Sequence, residues 1–177
     1  MTPVLIAIAV VLSGVALVVE HMGNVRISER HHSHHDTYVV PVAFTRSLVL
    51  AMVFMGAFGL LVSWLCHERV FVANTRAVLG FFDAFIVTCF VLWWAVSRYR
   101  VSSFGEHMVV RPFVGRSVTV RYADIDRMDW VGMRKGSGYR DLVVMVGGRR
   151  VARISGVVDL EQVLMRIDRF DALPLAS

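Results

Sequence analysis

Hydrophobic positions along the chain follow two regimes, and the change comes near Tyr99. Upstream, three stretches are almost uninterruptedly apolar: Pro3–Val19, Ser47–Cys66 and Ala77–Ser97. A helix crosses a hydrocarbon layer about 30 Å thick with about 20 apolar residues. The second stretch carries no charge and the third only Asp83, so both predict transmembrane helices, over 47–66 and 77–97. The first is shorter and lies at the N-terminus, where a cleaved signal has a similar look. Met1–Ser13 contains no Lys or Arg and no A-x-A step follows, which favours a retained span over 3–19. A histidine-rich connection, 20–46, joins it to the second span.

Downstream, apolar and polar residues alternate with period two, the mark of strands with one buried face. Tyr99–Phe104 and His107–Arg111 flank Gly105 and Glu106 as a first hairpin, which Pro112 and Gly115 close off. Val118, Val120 and Tyr122 share a face, as do Met128 with Trp130 and Leu142, Val144 with Val146. Gly147 and Gly148 then predict a two-residue turn into a returning strand, Arg149–Ile154. The period changes once more at the end. Leu160, Val163, Leu164 and Ile167 form a helical stripe, Asp159 precedes Gln162 as a cap, and Arg166 and Arg169 suit the negative end of the dipole, predicting a helix over 158–170. The expectation is an α-helical membrane region, 1–97, followed by a small α+β domain, 98–173, and a tail, 174–177. In that domain six or seven antiparallel strands form a partly open barrel, with the C-terminal helix plugging its open corner.

Composition narrows the possibilities further. The 177 residues are 56% hydrophobic and 19% charged, with only two cysteines, which excludes a disordered chain, a collagen-like repeat and a disulfide scaffold. Of 19 basic residues 18 are arginine, and from Arg98 onward 14 basic residues face nine acidic ones, so the whole net charge of +5 belongs to the C-terminal domain. Arg26, Arg30 and Arg46 beside the first connection and Arg98 with Arg100 after the third span place both on the cytoplasmic side. The short connection bearing Arg69 and Arg76 then lies outside. Trp64, Trp93 and Trp94 near span ends read as headgroup-level belt residues.

The steps Tyr99–Val101, His107–Val110 and Val118–Ile125, with the later Gly-Gly turn and terminal helix, resemble the bacterial pleckstrin-homology-like domain. Tyr-x-Asp-Ile at Tyr122–Ile125, following a membrane hairpin, carries most of that resemblance. It covers residues 45–173 and implies a fold and an interaction module rather than an activity. The extra first span and the histidine-rich connection depart from the commonest arrangement of such proteins.

Candidate chemistry is sparse. Arg134, Lys135 and Arg140 cluster around Gly136 and Gly138, where cations and free amides suit phosphate oxygens of anionic inner-leaflet lipids or an acidic partner; a solvated loop is the plainer reading. Neither a P-loop nor a dinucleotide fingerprint fits there. His31, His32, His34 and His35 supply imidazoles for zinc, copper or nickel, or a pH-sensitive charge patch, although no fixed carboxylate or thiolate accompanies them and a hydrated loop is the plainer reading. Asp83 requires a partner inside the bilayer, with Ser63, His67, Arg69 and Arg76 as candidates, or else is protonated; a structural lock is the plainer reading and a proton or ion path the functional alternative. Cys66 and Cys89 read as packing residues, and Gly56 and Gly59 as points of close helix approach.

No catalytic triad, paired carboxylates or cofactor signature stands out, and scattered arginines without interleaved aromatics argue against nucleic acid. The expectation is a non-catalytic, multi-pass cell-membrane protein whose cytoplasmic domain serves interaction or assembly, with a second copy or other membrane proteins as partners. The alternatives are a metal-binding or metal-responsive membrane protein, and an accessory subunit of a transporter or envelope complex.

Overall fold

A computed structural model describes residues 2–28, 36–132 and 140–173, with backbone alone over 23–28. Three long helices lie in the N-terminal part of the chain: α1 (Thr2–Ser28), α2 (Val42–His67) and α3 (Thr75–Arg98). All three are long and apolar enough to cross a membrane, the mark of a multi-pass membrane protein. Among the described residues seven strands and a fourth helix accompany them: β1 (Asp36–Val39), which lies between α1 and α2, and, after α3, β2 (Arg100–Ser103), β3 (His107–Arg111), β4 (Val118–Arg121), β5 (Arg127–Val131), β6 (Asp141–Val146), β7 (Arg149–Ile154) and α4 (Leu160–Ile167). The helices α1–α3 up to Trp94 form one compact unit, and the strands with α4 form another.

In the helical unit each helix buries a narrow stripe. On α2 this is Thr45, Val49, Met52, Gly56, Gly59, Ser63 and Cys66, spaced alternately by four and three, and Leu79, Asp83, Ile86 and Trp93 continue the theme on α3. Both glycines permit close approach, as the sequence suggests. A Cβ on Gly56 would lie 3.4 Å from the Ser13 hydroxyl of α1, and one on Gly59 would overlap the Phe82 ring at 2.7 Å. Remaining apolar side chains such as Leu50, Phe54 and Phe81 point outward, 64 to 69% exposed. That is the arrangement of a bundle solvated by lipid tails, which offer no hydrophobic gain for burying them.

The strands form two antiparallel sheets, ordered β1-β2-β3-β4 and β5-β6-β7. All six strands read from the alternation are present. Gly147 and Gly148, both at positive φ of 58° and 69°, make the β6–β7 turn, a conformation open to glycine without steric cost. The inner faces contribute Val101, Met108, Val110, Val120, Met128, Leu142, Val144 and Ile154 to one core, which α4 completes with Leu160, Val163, Leu164 and Ile167. The Asp159 carboxylate accepts the Gln162 N–H at 3.2 Å, as predicted from the cap. The helix is shorter than 158–170 because Asp168 turns left-handed at φ 51°. Arg169 therefore lies beyond the helix and donates to the carbonyls of Tyr122 and Ile125, at 2.6 and 3.0 Å, instead of meeting the helix dipole.

The strand that the alternation does not reveal is β1. It lies within the connection expected as a loop, yet it pairs with β2 through Asp36↔Ser103 to Val39↔Arg100, and the side chains of Thr37 and Ser102 meet across 65 residues of sequence. Strands either side of the α2–α3 hairpin thus share one sheet. Where both helices cross the bilayer, the domain's two chain segments lie on the same side.

Tyr99 joins the ends of the two sheets. It is buried, stacks on Phe113 of the β3–β4 loop at 4.3 Å between ring centres, and its hydroxyl accepts the Ser155 N–H at 2.7 Å. Burial pushes its phenol above the ordinary range. Next to this joint, Asp141 accepts the Gly156 N–H at 2.9 Å and the Arg153 guanidinium at 2.8 Å. Burial alone would raise its carboxyl, but these donors together hold it below the ordinary value. A depressed carboxylate stabilises the fold fully above its unfolded-state pKa, about pH 4, and that contribution drains away as pH falls through this range toward the lower folded-state value. Asp141→Asn is therefore expected to flatten the loss of domain stability below about pH 4, as measured by denaturant unfolding at a series of pH values.

Candidate functional site

Two places among the described residues are candidates for a functional site. The first is inside the helical unit. Glu20, just past the predicted end of the first span, is on α1, which continues to Ser28. Its carboxylate accepts the Thr45 hydroxyl of α2 at 2.9 Å and the Trp93 indole N–H of α3 at 3.2 Å, so one acidic side chain ties all three helices. Trp93 is only 3% exposed, which corrects its reading as a belt residue; Trp64 and Trp94, at 57 and 46%, do face outward. The signal for this cluster was present but faint. Glu20 and Trp93 each sit on a heptad-spaced stripe, where an outward-facing belt residue would not fall.

Asp83 is the contrasting case. It lies on the buried stripe of α3, 5% exposed, and neither carboxylate oxygen has a hydrogen-bond partner among the described residues. The expected lock to Ser63, His67, Arg69 or Arg76 is thus not made. His67, Arg69 and Arg76 are exposed, and the Arg76 backbone N–H instead donates to Asn74 Oδ1 at 3.0 Å, helping to open α3. Arg69 takes φ 59° where the chain leaves α2. Cys66 and Cys89 are buried free thiols, consistent with packing.

The second place is a shallow cleft of about 510 Å³ in the strand unit, lined by Asp36, Thr37 and Tyr38 of β1 and by Gln162, Met165 and Arg166 of α4. Arg166 meets Asp36 at 3.2 Å and the Tyr38 hydroxyl donates to the Gln162 carbonyl at 3.3 Å. Burial, with the Asp36 charge adding to it, raises the Tyr38 phenol above its ordinary value. Met165 stands 63% exposed beside these polar groups. The cleft thus offers an apolar side chain, an edge strand and a paired charge, features that suit a polypeptide or small polar ligand.

Of the residues singled out from sequence, Arg140 is exposed next to β6. Arg134 and Lys135 lie outside the described residues, as do His31, His32, His34 and His35. Among the described residues no group of three or more His, Cys, Asp or Glu side chains converges to hold a metal ion. No family model, curated protein or solved structure matches the chain.

The two acids of the helical unit are expected to respond oppositely to substitution. In a double-mutant cycle on the full chain in detergent, Glu20→Ala and Trp93→Phe should show a coupling of about 0.5 to 2 kcal/mol, the range of hydrogen bonds between membrane helices. Asp83→Leu should leave the bundle as stable or more so, since it removes a carboxyl without partners. Equilibrium unfolding in a denaturing detergent series reads both.

Proposed function

We propose that this is a non-catalytic, multi-pass cell-membrane protein of the bacterial pleckstrin-homology-like kind, whose strand domain is a cytoplasmic interaction or assembly module. The observation that carries the proposal is the β1–β2 pairing across the membrane hairpin. A domain sewn into the chain on both sides of α2 and α3 stays at the bilayer and suits a task of holding a neighbour there. The arrangement of four strands, three strands and a terminal helix supports the pleckstrin-homology-like reading and a partly open barrel with α4 in its gap. Arg46, Arg98 and Arg100 flank the hairpin on the domain's side, which supports the cytoplasmic orientation.

The partner in this reading is a second copy or another membrane protein, received at the cleft between β1 and α4. A photoreactive amino acid at Met165 in the full chain should yield a discrete cross-linked species in cells, identified by mass spectrometry. A probe at Arg149, at the start of β7, should not. Equal labelling from both positions, or a purified chain that turns over a reproducible substrate, would overturn the proposal.

A further inference from the structure

The strand register sorts the domain's charges between its two ends. β1 leads into α2, which begins at Val42, and α3 delivers the chain to β2 at Arg100. The end of the sheet holding the Val39–Arg100–Arg111 row is therefore the end to which both membrane helices are attached. The Tyr99 joint brings further elements to that end. Phe113 stacks on its ring and carries the β3–β4 loop, while Ser155 bonds its hydroxyl and lies beside the start of β6, where Gly156 meets Asp141. Arg100, Arg111, Arg116 and Arg140 consequently share one rim, together with Val114, which is 79% exposed.

This rim has little to neutralise it. None of the four arginines makes an ion pair among the described residues, and the carboxylate nearby, Asp141, is occupied by Arg153 and Gly156. Arg100 and Arg111 are moreover direct cross-strand partners, a like-charge pairing that disfavours the sheet unless an anion lies between or beside the two. The opposite end differs: Arg121 is paired with Asp124 and Arg127 with Asp129, and Glu106 and Asp126 sit on adjoining turns with Arg149 and Arg150.

We propose that the rim of Arg100, Arg111, Arg116 and Arg140 around Val114 binds the anionic phospholipid headgroups of the leaflet where α2 and α3 end. The short connections hold it at headgroup depth: two residues separate β1 from α2 and one separates α3 from β2. Guanidinium groups match phosphate oxygens in bidentate geometry, and an exposed valine among them enters the acyl boundary without leaving a polar group unpaired. This deepens the reading of a bilayer-held domain and rests on α2 and α3 spanning the membrane. It locates the lipid contact in strand ends and the β3–β4 loop.

The test uses the full chain in vesicles, with Cys66 and Cys89 replaced by alanine and an environment-sensitive fluorophore at Val114→Cys or, as the opposite end, Gly105→Cys. Vesicles are phosphatidylcholine alone or with about one third phosphatidylglycerol, each containing a headgroup-quencher lipid. Quenching at position 114 should rise several-fold with phosphatidylglycerol, fall with added salt, and drop by about fivefold for each of Arg100→Gln, Arg111→Gln and Arg116→Gln at limiting anionic lipid. Position 105 should stay unquenched throughout. Quenching at 114 that ignores lipid charge, salt and the arginines would overturn the proposal, as would stronger quenching at 105. The salt dependence of the unsubstituted rim keeps the test valid if an arginine variant misfolds. Alkaline extraction of the same vesicles reports separately on spanning: a chain released by it overturns the membrane reading itself, whereas a retained chain with an unquenched rim overturns this inference alone.

Discussion

The four-residue ladder between Asp36–Val39 and Arg100–Ser103 is the constraint on which the rest of the architecture depends. A sheet cannot pair strands on opposite faces of a bilayer, so the two helices between them must cross together or not at all. Without β1, the edge of β2 would present unpaired backbone groups, and Val40 and Tyr38 would leave the core. One short strand therefore couples membrane insertion of the hairpin to completion of the folded domain. Tyr99 reinforces that coupling, because the first residue past α3 is also the post against which the ends of both sheets lean.

Much of this could be read from the sequence, where the periodicity was long and unopposed. Twenty uncharged residues from Ser47 to Cys66 leave no other low-energy place than lipid, and Val118, Val120 and Tyr122 alternate cleanly enough to fix a buried face. The Leu160–Ile167 stripe and its Asp159 cap were equally plain. The strand β1 was not, because Asp-Thr-Tyr-Val is too short to establish a period and its partner is remote in sequence. The end of α4 escaped for a different reason. Asp168 adopts a left-handed conformation that Asp tolerates but does not announce, and Arg169 is then free to serve the Tyr122–Ile125 turn. That turn is the Tyr-x-Asp-Ile step itself: Tyr122 and Ile125 are buried, the Tyr122 hydroxyl bonds Ser103 at 2.6 Å, and the backbone carbonyls receive Arg169.

The candidate site was less legible because polar residues inside a bundle announce a cost and not a solution. Asp83 interrupts an apolar run conspicuously, and its neighbours in sequence offered several partners, none of which the helices bring to it. Glu20 stands at the edge of a span, where an acid needs no partner, yet geometry gives it two donors from two other helices. Which acid is satisfied depends on the rotation of each helix about its axis, and that is set by the small residues Ser13, Gly56 and Gly59 through close packing. The cleft between β1 and α4 could not be foreseen at all, since one of its walls was the unrecognised strand.

The placement of β1 also bears on how such a chain could have arisen. Val39 and Arg100 face each other at the end of an antiparallel pair, the position normally closed by a tight reversal of two to five residues. The whole lipid-embedded hairpin occupies the site of that reversal. A chain joining Pro41 to Arg98 by a few turn-forming residues would retain every strand, the core and the terminal helix, with α1 alone left to hold it to the bilayer. Topologically, then, the membrane segment is an insertion into a water-borne sheet, and the sheet tolerates it because loop tips accept extra length at small entropic cost.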